Sequence, residues 1–478
     1  MRACLLATEL ARRSGAGSVG QSEVYYATLM RFAGCAATSH EAAAAFGGDD
    51  IAVRAGGDLI DATRPLEALR FLAGLGSGVE KLRVLARAPR VPSIVKESAR
   101  ADCEVGADLT ARLHLPATVS QAVLCAFERF DGKGSPAGLA GEEVAKAARF
   151  AAVGFAAVMF DAVGGGELAI ETTTRWSGRA LDPSIVTIFL EAPEELLTIS
   201  KPDDRWAAVV DTEPQPRRWF RDDTHLDEAL AGFGDAADLK APFFHGHSRG
   251  VGSLALAASS SVAGVDPAVA YRAGLIHDLG RVVVPTGVWE RPGPLRPEEW
   301  ELVRLHPYHS GRIVSRSRAL QPLAEIVSRH HERLDGSGYP AGVRASELDG
   351  AARLLAAADT WRTMGEDRPH RVALSPADAA RLIAQMPLDR DAVRAVLEAA
   401  DAPQASFPPL PVNLTERELE VLRLLSRGLT KRQIADQLFV SHATVHTHTV
   451  HIYGKCGVST RAALAMFAMR HGLAASSN

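Results

Sequence analysis

Cysteine is scarce: the 478 residues hold five, Cys4, Cys35, Cys103, Cys125 and Cys456, scattered and without a C-x-x-C pair. An odd, dispersed set excludes a disulfide framework and a zinc ribbon and reads as buried thiols. Long apolar runs are missing too, since none reaches the roughly 18 residues of a membrane span. The apolar start meets Glu9, Arg12 and Arg13 before a signal-peptide core is complete. These absences predict a cytoplasmic protein with no membrane contact. Strand-like alternation is rare, and a composition 47% hydrophobic and 23% charged excludes extensive disorder.

What is there reads as helix. Ala, Leu, Arg and Glu dominate, and apolar residues recur at helical spacing, as in Leu302, Val303, Leu305 or Leu382, Ile383, Met386. At about 150 residues per domain the chain holds roughly three folding units. Its net charge of -4 is uneven: residues 411 to 478 carry eight Lys or Arg against four Asp or Glu, so the rest is acidic. A basic tail on an acidic body suits nucleic-acid binding. Pro202, Pro214 and Pro216 within Lys201 to Thr224, and Pro408 and Pro409 within Pro403 to Pro411, mark two linkers. Phe127-Glu-Arg-Phe-Asp-Gly-Lys-Gly-Ser-Pro136 matches His331-Glu-Arg-Leu-Asp-Gly-Ser-Gly-Tyr-Pro340, and Ala147-Ala-Arg149 matches Ala351-Ala-Arg353 at the same offset. That constancy reads as a duplicated helical domain.

The second block concentrates candidate metal ligands: His247, His277, Asp278, His306, His330, His331 and Asp359. Imidazole and carboxylate together suit iron, manganese or zinc, and a carboxylate can bridge two ions. These residues stand in His247-Ser-Arg, His277-Asp-Leu-Gly-Arg281, His306-Pro307, His330-His-Glu-Arg-Leu-Asp-Gly-Ser-Gly-Tyr-Pro340, Ala358-Asp359 and Asp367-Arg-Pro-His-Arg. Through them, residues 236 to 390 resemble the HD-GYP family of phosphohydrolases. The resemblance implies a helical bundle with a two- or three-metal centre that opens phosphodiester bonds, cyclic di-GMP being the usual substrate. It also implies His247, His277, Asp278 and Asp359 as the basic site, His306, His330 and His331 as second-metal ligands, and Asp278 as the bridge. Asp278 and Arg281 would carry catalysis, and Arg281, Gly338, Tyr339 and Pro340 would meet substrate.

Three positions depart from the family pattern. Arg281 stands where a phosphate-contacting Lys is expected, which keeps the charge but changes its geometry. Phe243 replaces the Glu of trinuclear members, so two ions are expected, iron or manganese. Arg362 replaces the second Asp of Ala-Asp-x-x-Asp. In the first block, Arg31 and Phe32 take the His-Asp positions, Ala126 and Phe127 the His-His positions, and Phe155 the late Asp position, which describes a packed pseudo-domain.

The tail shows three helix starts. Thr415-Glu-Arg-Glu418 and Thr430-Lys-Arg-Gln433 have capping-box spacing, Gly428 closes the first helix, and Ser441 opens a third. Short capped helices at this spacing suit a helix-turn-helix. On the third, Val445, His448, Ile452 and Cys456 form the expected core stripe. Leu414-Thr-Glu-Arg-Glu-Leu-Glu-Val-Leu422, Val440-Ser-x-x-Thr-Val445, Ile452-Tyr-x-Lys455 and Gly457-Val458 resemble the LuxR-type domain. That resemblance implies a major-groove helix with His446, Thr447 and Val450 facing bases and Lys431, Thr444 and Lys455 on phosphates.

The expectation is a mostly α chain: two HD-type bundles in tandem plus a small helix-turn-helix. Its parts are a pseudo-domain at 1–195, a linker at 196–235, an HD-GYP-like domain at 236–403, a linker at 404–410 and a DNA-binding domain at 411–478. Its partners would be double-stranded DNA, a nucleotide and a second copy of itself. Two rivals stay open: a silent nucleotide- or metal-sensing regulator, and iron-based redox sensing at the same ligands.

Overall fold

Helix after helix begins with the same local chemistry. Asp182, Asp266, Asp349, Asp389 and Ser375 each accept a hydrogen bond from a backbone amide of the first turn, and Pro183, Pro267 and Pro376 sit in first turns whose amides have no helical partner. The computed structural model describes residues 1–47, 49–61, 63–75, 84, 86, 90–218, 220–403, 413–426, 429–458, 464 and 468. Among these no strand occurs, as expected, and only isolated bridges such as Asp131 with Ala140 interrupt the helices. The chain divides into two units, 1–242 with 285–290 and 243–284 with 291–478.

In the first unit the central element, Lys146–Trp176, is helical on both sides of a break at Gly164 and Gly165, and before the break it presents Phe150, Val153, Ala157 and Phe160 to Leu6, Ala7 and Leu10 of Arg2–Arg13. A Cβ on Gly154 would lie 2.9 Å from Ala3 O and from Ala7 Cβ, so this crossing requires glycine. This helix corrects one expectation: an 18-residue stretch of it has a mean hydropathy of 1.5, long and apolar enough to span a membrane. Its buried side chains belong to the core instead.

The stretch 196–235 is not an extended linker. It contains parts of helices Pro193–Ile199 and Asp223–Asp238 and all of Arg205–Asp211. Val209 is buried with Cys4, Leu5 and Tyr25, and the Tyr25 hydroxyl donates to Val209 O at 2.9 Å. Pro202, Pro214 and Pro216 lie in the turns between these helices, where Asp204 and Asp222 cap the next start. The expected linker at 404–410 and Gly428 lie outside the described residues.

The sequence repeat has a geometric counterpart. Glu128 accepts from the amides of Ala137, Gly138 and Leu139 at 2.6, 3.1 and 3.1 Å, and Glu332 accepts from those of Ala341, Gly342 and Val343 at 2.7, 3.1 and 3.1 Å. A Cβ on Gly134 or on Gly338 would lie 2.4 Å from the amide nitrogen of Arg129 or Arg333. Arg149 pairs with Asp182 as Arg353 pairs with Asp389. The positions matching the expected ligands hold Arg31 beside Phe32, Phe127 and Phe155, its guanidinium 5.5 to 5.8 Å from the three ring centres.

In the second unit His247–Ser259 packs on Pro267–Ile276 through Gly252 and Gly274, where a Cβ on Gly274 would lie 2.5 Å from Gly252 Cα. Helices Glu416–Ser426, Lys431–Gln437 and His442–Cys456 bury Val421, Leu422, Leu425, Ile434, Val445 and Ile452 together with Leu464 and Ala468. Both capping boxes form. The core stripe of the last helix is shifted from expectation, because Thr449 rather than His448 is buried between Val445 and Ile452. Its hydroxyl donates to Val445 O at 2.7 Å, which satisfies the polar group within the helix.

Within the first unit Lys240 Nζ lies 2.7 Å from Asp50 Oδ2, each residue 2% exposed, and the Thr286 amide donates to Asp50 Oδ1 at 2.8 Å. Removing one partner of a buried pair leaves the other uncompensated. Asp50→Ala is expected to destabilise the protein by about 3–5 kcal/mol, and Asp50→Ala with Lys240→Met to recover part of that loss. Chemical denaturation midpoints of the two variants against wild type check this.

Candidate metal centre and nucleic-acid interface

Three of the histidines follow the C-terminal end of a helix, where backbone carbonyls lack helical partners. His277, His306 and His330 come after Pro267–Ile276, Pro297–Arg304 and Gln321–Ser328. Their Nδ1 atoms lie 2.7, 2.6 and 2.6 Å from the carbonyl oxygens of Gly274, Val303 and Val327. A carbonyl only accepts, so Nδ1 carries the hydrogen and each Nε2 presents a lone pair inward.

Those lone pairs converge on two buried carboxylates. His247, His277, Asp278 and Asp359 form one group, and His306, His330 and His331 a second; within each, the ligand atoms lie within 4.8 Å of one another. Asp278 faces both: its Oδ2 lies 2.8 Å from His277 Nε2 and 3.5 Å from His247 Nε2, and its Oδ1 3.1 Å from His306 Nε2 and 3.5 Å from His330 Nε2. Asp359 joins His247 Nε2 at 3.1 Å to His331 Nδ1 at 3.5 Å. The structure thus brings all seven expected ligands together.

This donor set fits cations. His306 Nε2 and His330 Nε2 stand 3.2 Å apart although both are acceptors in the tautomer their carbonyls impose. His277 Nε2 and both oxygens of Asp278 are buried without a hydrogen bond of proper geometry. A buried array of acceptors is costly unless positive charge lies among them, and Arg281 supplies one such charge to Asp278. The field agrees. Burial disfavours an imidazolium at His277, yet Asp278 and Asp359 push its pKa up to about 10. Burial brings His330 down to about 4. Burial favours a neutral acid at both aspartates, but Arg281 and His277 hold Asp278, and His247 and His277 hold Asp359, well below the usual carboxylate range.

Arg281 pairs with Asp278, and its guanidinium stacks 3.9 Å from the Phe244 ring centre. Arg368 stacks on the same ring at 4.8 Å and on Phe243 at 5.2 Å, and burial together with Arg281 brings its pKa down to about 10. Phe243, expected as the position of a lost ligand, thus supports an arginine. Gly338 is explained by backbone approach rather than by open space, and Pro340 is half-buried beside it. The Tyr339 ring lies 4.7 Å from that of His331 and 5.7 Å from that of Trp300, which is 42% exposed.

Sequence reasoning passed over Arg368, Trp300 and Glu366. Arg368 lies within the Asp367-Arg-Pro motif, which was the available signal, whereas Glu366 stands just past the end of the Gly350–Met364 helix that carries Asp359, where helical periodicity gives none.

On the last helix Thr444, His446, Thr447 and Val450 are exposed, Val450 by 54%. Lys431 Nζ lies 2.8 Å from His446 Nδ1, and Thr444 shares the helix cap with Ser441. Lys455 donates to the buried Glu418 at 2.6 Å. Although burial favours its neutral form, Glu418 is held at about 2 by Lys455 and Thr415. A depressed carboxylate adds stability above its unfolded pKa, and that stability is lost as pH falls through the folded pKa. The Thr415 to Cys456 region is therefore expected to loosen between about pH 4.3 and pH 2, and Glu418→Gln to flatten that dependence. Amide hydrogen exchange across the region as a function of pH provides the check.

Comparison with known proteins places both ends of the chain. Residues 233–391 match the family model of the HD domain, and residues 412–468 match that of bacterial regulatory proteins of the luxR family. A 3'3'-cGAMP-specific phosphodiesterase of Vibrio cholerae is 29% identical over 285 residues, 59% of this chain and 62% of its own. A cyclic di-GMP phosphodiesterase of Pseudomonas aeruginosa is 35% identical over 142 residues, 29% of this chain and 34% of its own. A cyclic di-GMP phosphodiesterase of Thermotoga maritima is 37% identical over 131 residues, 27% of this chain and 36% of its own. The chain thus spans less than two thirds of each relative. A solved cyclic GMP-AMP-specific phosphodiesterase from Vibrio cholerae matches with a TM-score of 0.55 at 20% identity, over 84% of this chain and 92% of that one, which shows a common fold. The chain accordingly joins an HD domain at 233–391 to a domain of the luxR family of bacterial regulatory proteins at 412–468.

Proposed function

We propose that this chain is a DNA-binding transcription regulator of the cytoplasm whose HD domain hydrolyses a cyclic dinucleotide. The observation that carries the proposal is the sharing of Asp278: its two oxygens face two separate groups of ring nitrogens, as a bridging ligand between two divalent ions would. Iron or manganese fits this mixed imidazole and carboxylate set. His247, His277, Asp278 and Asp359 would hold one ion, and His306, His330 and His331 with Asp278 the other. When bound, such ions supply charge opposite a phosphate and acidify water.

The remaining steps belong to the chain. Arg281 and Arg368 converge on Phe244 and offer two guanidinium forks to phosphate oxygens. Tyr339, backed by His331, and the exposed Trp300 beside it form the aromatic corner where a nucleobase packs. Asp278 serves both ligand groups, while Gly338 and Pro340 shape the loop around Tyr339. The first unit acts as a degenerate copy, its Arg31 and phenylalanine cluster standing where ligands stand in the second. His446, Thr447 and Val450 read bases while Lys431, Thr444 and Lys455 meet phosphates, on paired half-sites in a homodimer.

A second reading is favoured by the Arg281–Asp278 ion pair, which ties up a ligand: a regulator that binds the nucleotide and leaves it intact. Full-length protein loaded with manganese or iron, incubated with cyclic di-GMP, 3'3'-cGAMP and bis(p-nitrophenyl) phosphate, decides between them. Metal-dependent hydrolysis, falling by about 10²- to 10³-fold in Asp278→Ala, is expected. Tight nucleotide binding without turnover establishes the silent regulator. Metal analysis should find about two ions per chain; stoichiometric metal retained after replacing both His277 and Asp278 refutes the ligand assignment.

For the other end, full-length protein is expected to bind duplex DNA with an affinity that falls as salt rises. Val450→Ala should change base discrimination by about 1–3 kcal/mol, whereas Lys431→Ala should weaken all sequences alike. Salt-dependent titrations on matched and scrambled duplexes test both, and unaltered discrimination in Val450→Ala removes that residue from base reading.

A further inference from the structure

His247 differs from the other histidines of the centre in where it sits. His277, His306 and His330 each follow the end of a helix and donate Nδ1–H to a carbonyl three residues back. His247 begins a helix, as His306 also does, but it follows Gly246 in the left-handed region at φ 76° rather than the end of an α-helix. Its Nδ1 is met by a side-chain acceptor rather than by a backbone carbonyl. That acceptor is Glu366, whose Oε2 lies 2.9 Å from His247 Nδ1 while His247 Nε2 faces Asp359 at 3.1 Å.

The carboxylate is itself fixed. Arg362 Nε donates to Glu366 Oε1 at 2.9 Å and Arg368 Nη2 donates to Oε2 at 2.9 Å. Arg362 is the position where the chain departs from the Ala-Asp-x-x-Asp pattern. With arginine there, the site gains its orienting carboxylate one helical turn later, and the departing residue becomes its support.

We propose that Glu366 is a positioning residue of the metal centre: it accepts the Nδ1 hydrogen of His247, which directs the Nε2 lone pair at the cation, and Arg362 and Arg368 hold it there. The proposal rests on the metal-centre reading above. Carboxylates placed behind metal-bound histidines in this way typically affect metal affinity by about 10- to 100-fold.

The test is calorimetric titration of Mn²⁺ into metal-free full-length protein, with thermal unfolding of each metal-free variant in parallel. Glu366→Ala is expected to bind about 10- to 100-fold more weakly than wild type. Glu366→Gln, which keeps a carbonyl acceptor, should recover most of the affinity, and Glu366→Asp, with a shorter reach, should fall between Gln and Ala. The metal-free unfolding temperatures should agree, which separates orientation of the ligand from loss of fold. Glu366→Ala within about threefold of wild type overturns the proposal, and so does Glu366→Gln no tighter than Glu366→Ala. If Glu366→Ala does not fold, Gln against Asp decides: Asp binding as tightly as Gln overturns it. Wild type that takes up no Mn²⁺ refutes the metal centre itself, a result distinct from any change confined to the Glu366 variants.

Discussion

The organising interaction in the HD domain is one buried carboxylate that is surrounded by imidazole rings and paired with Arg281. Asp278 lies among His247, His277, His306 and His330, and three of those rings are locked by helix-end carbonyls in the tautomer that turns a lone pair inward. Helix ends thus do two things at once: they satisfy their own carbonyls and set the direction of His277, His306 and His330. Helices 267–276, 297–304 and 321–328 all end where a histidine follows, so the centre is built from the places where backbone hydrogen bonding runs out.

The first unit shows the same loop chemistry serving another end. Glu128 and Glu332 gather three amides each in matching fashion, and glycine is required at 134 and 338 for the same backbone approach. Beside the first loop, however, stand Arg31 and three phenylalanine rings. A guanidinium held against aromatic faces is stabilised by their negative faces and itself brings positive charge to this interior. The loop scaffold is therefore compatible with two unlike interiors, and the side chains at a few positions choose between them.

At the C-terminus the buried Glu418 combines roles that are usually separate. It closes the capping box with Thr415 and accepts from Lys455 near the end of the last helix, so one carboxylate ties the first helix of the domain to the third. The exposed face around His446, Thr447 and Val450 is held by this frame and by the Val445, Thr449 and Ile452 stripe beneath it.

Much of this was legible in the residues themselves, because it depends on interactions within a few positions. Helix content, the capping boxes at Thr415 and Thr430, the seven candidate ligand side chains and the repeat about Gly134 and Gly338 all follow from local spacing or direct matching. Other features were not. The shift of the core stripe to Thr449 depends on a hydroxyl satisfied by its own helix, and the helices within 196–235 depend on Val209 finding Cys4 and Tyr25 far away in sequence. Which oxygen of Asp278 faces which ring was decided only when the segments carrying His247, His306 and His330 packed around it, and that Glu366 rather than position 362 meets His247 only when segments more than a hundred residues apart came together. The sequence by itself determined which groups were available to bind, cap and donate; the tertiary structure decided which of them meet, since convergence is a property of helix packing and not of spacing along one helix.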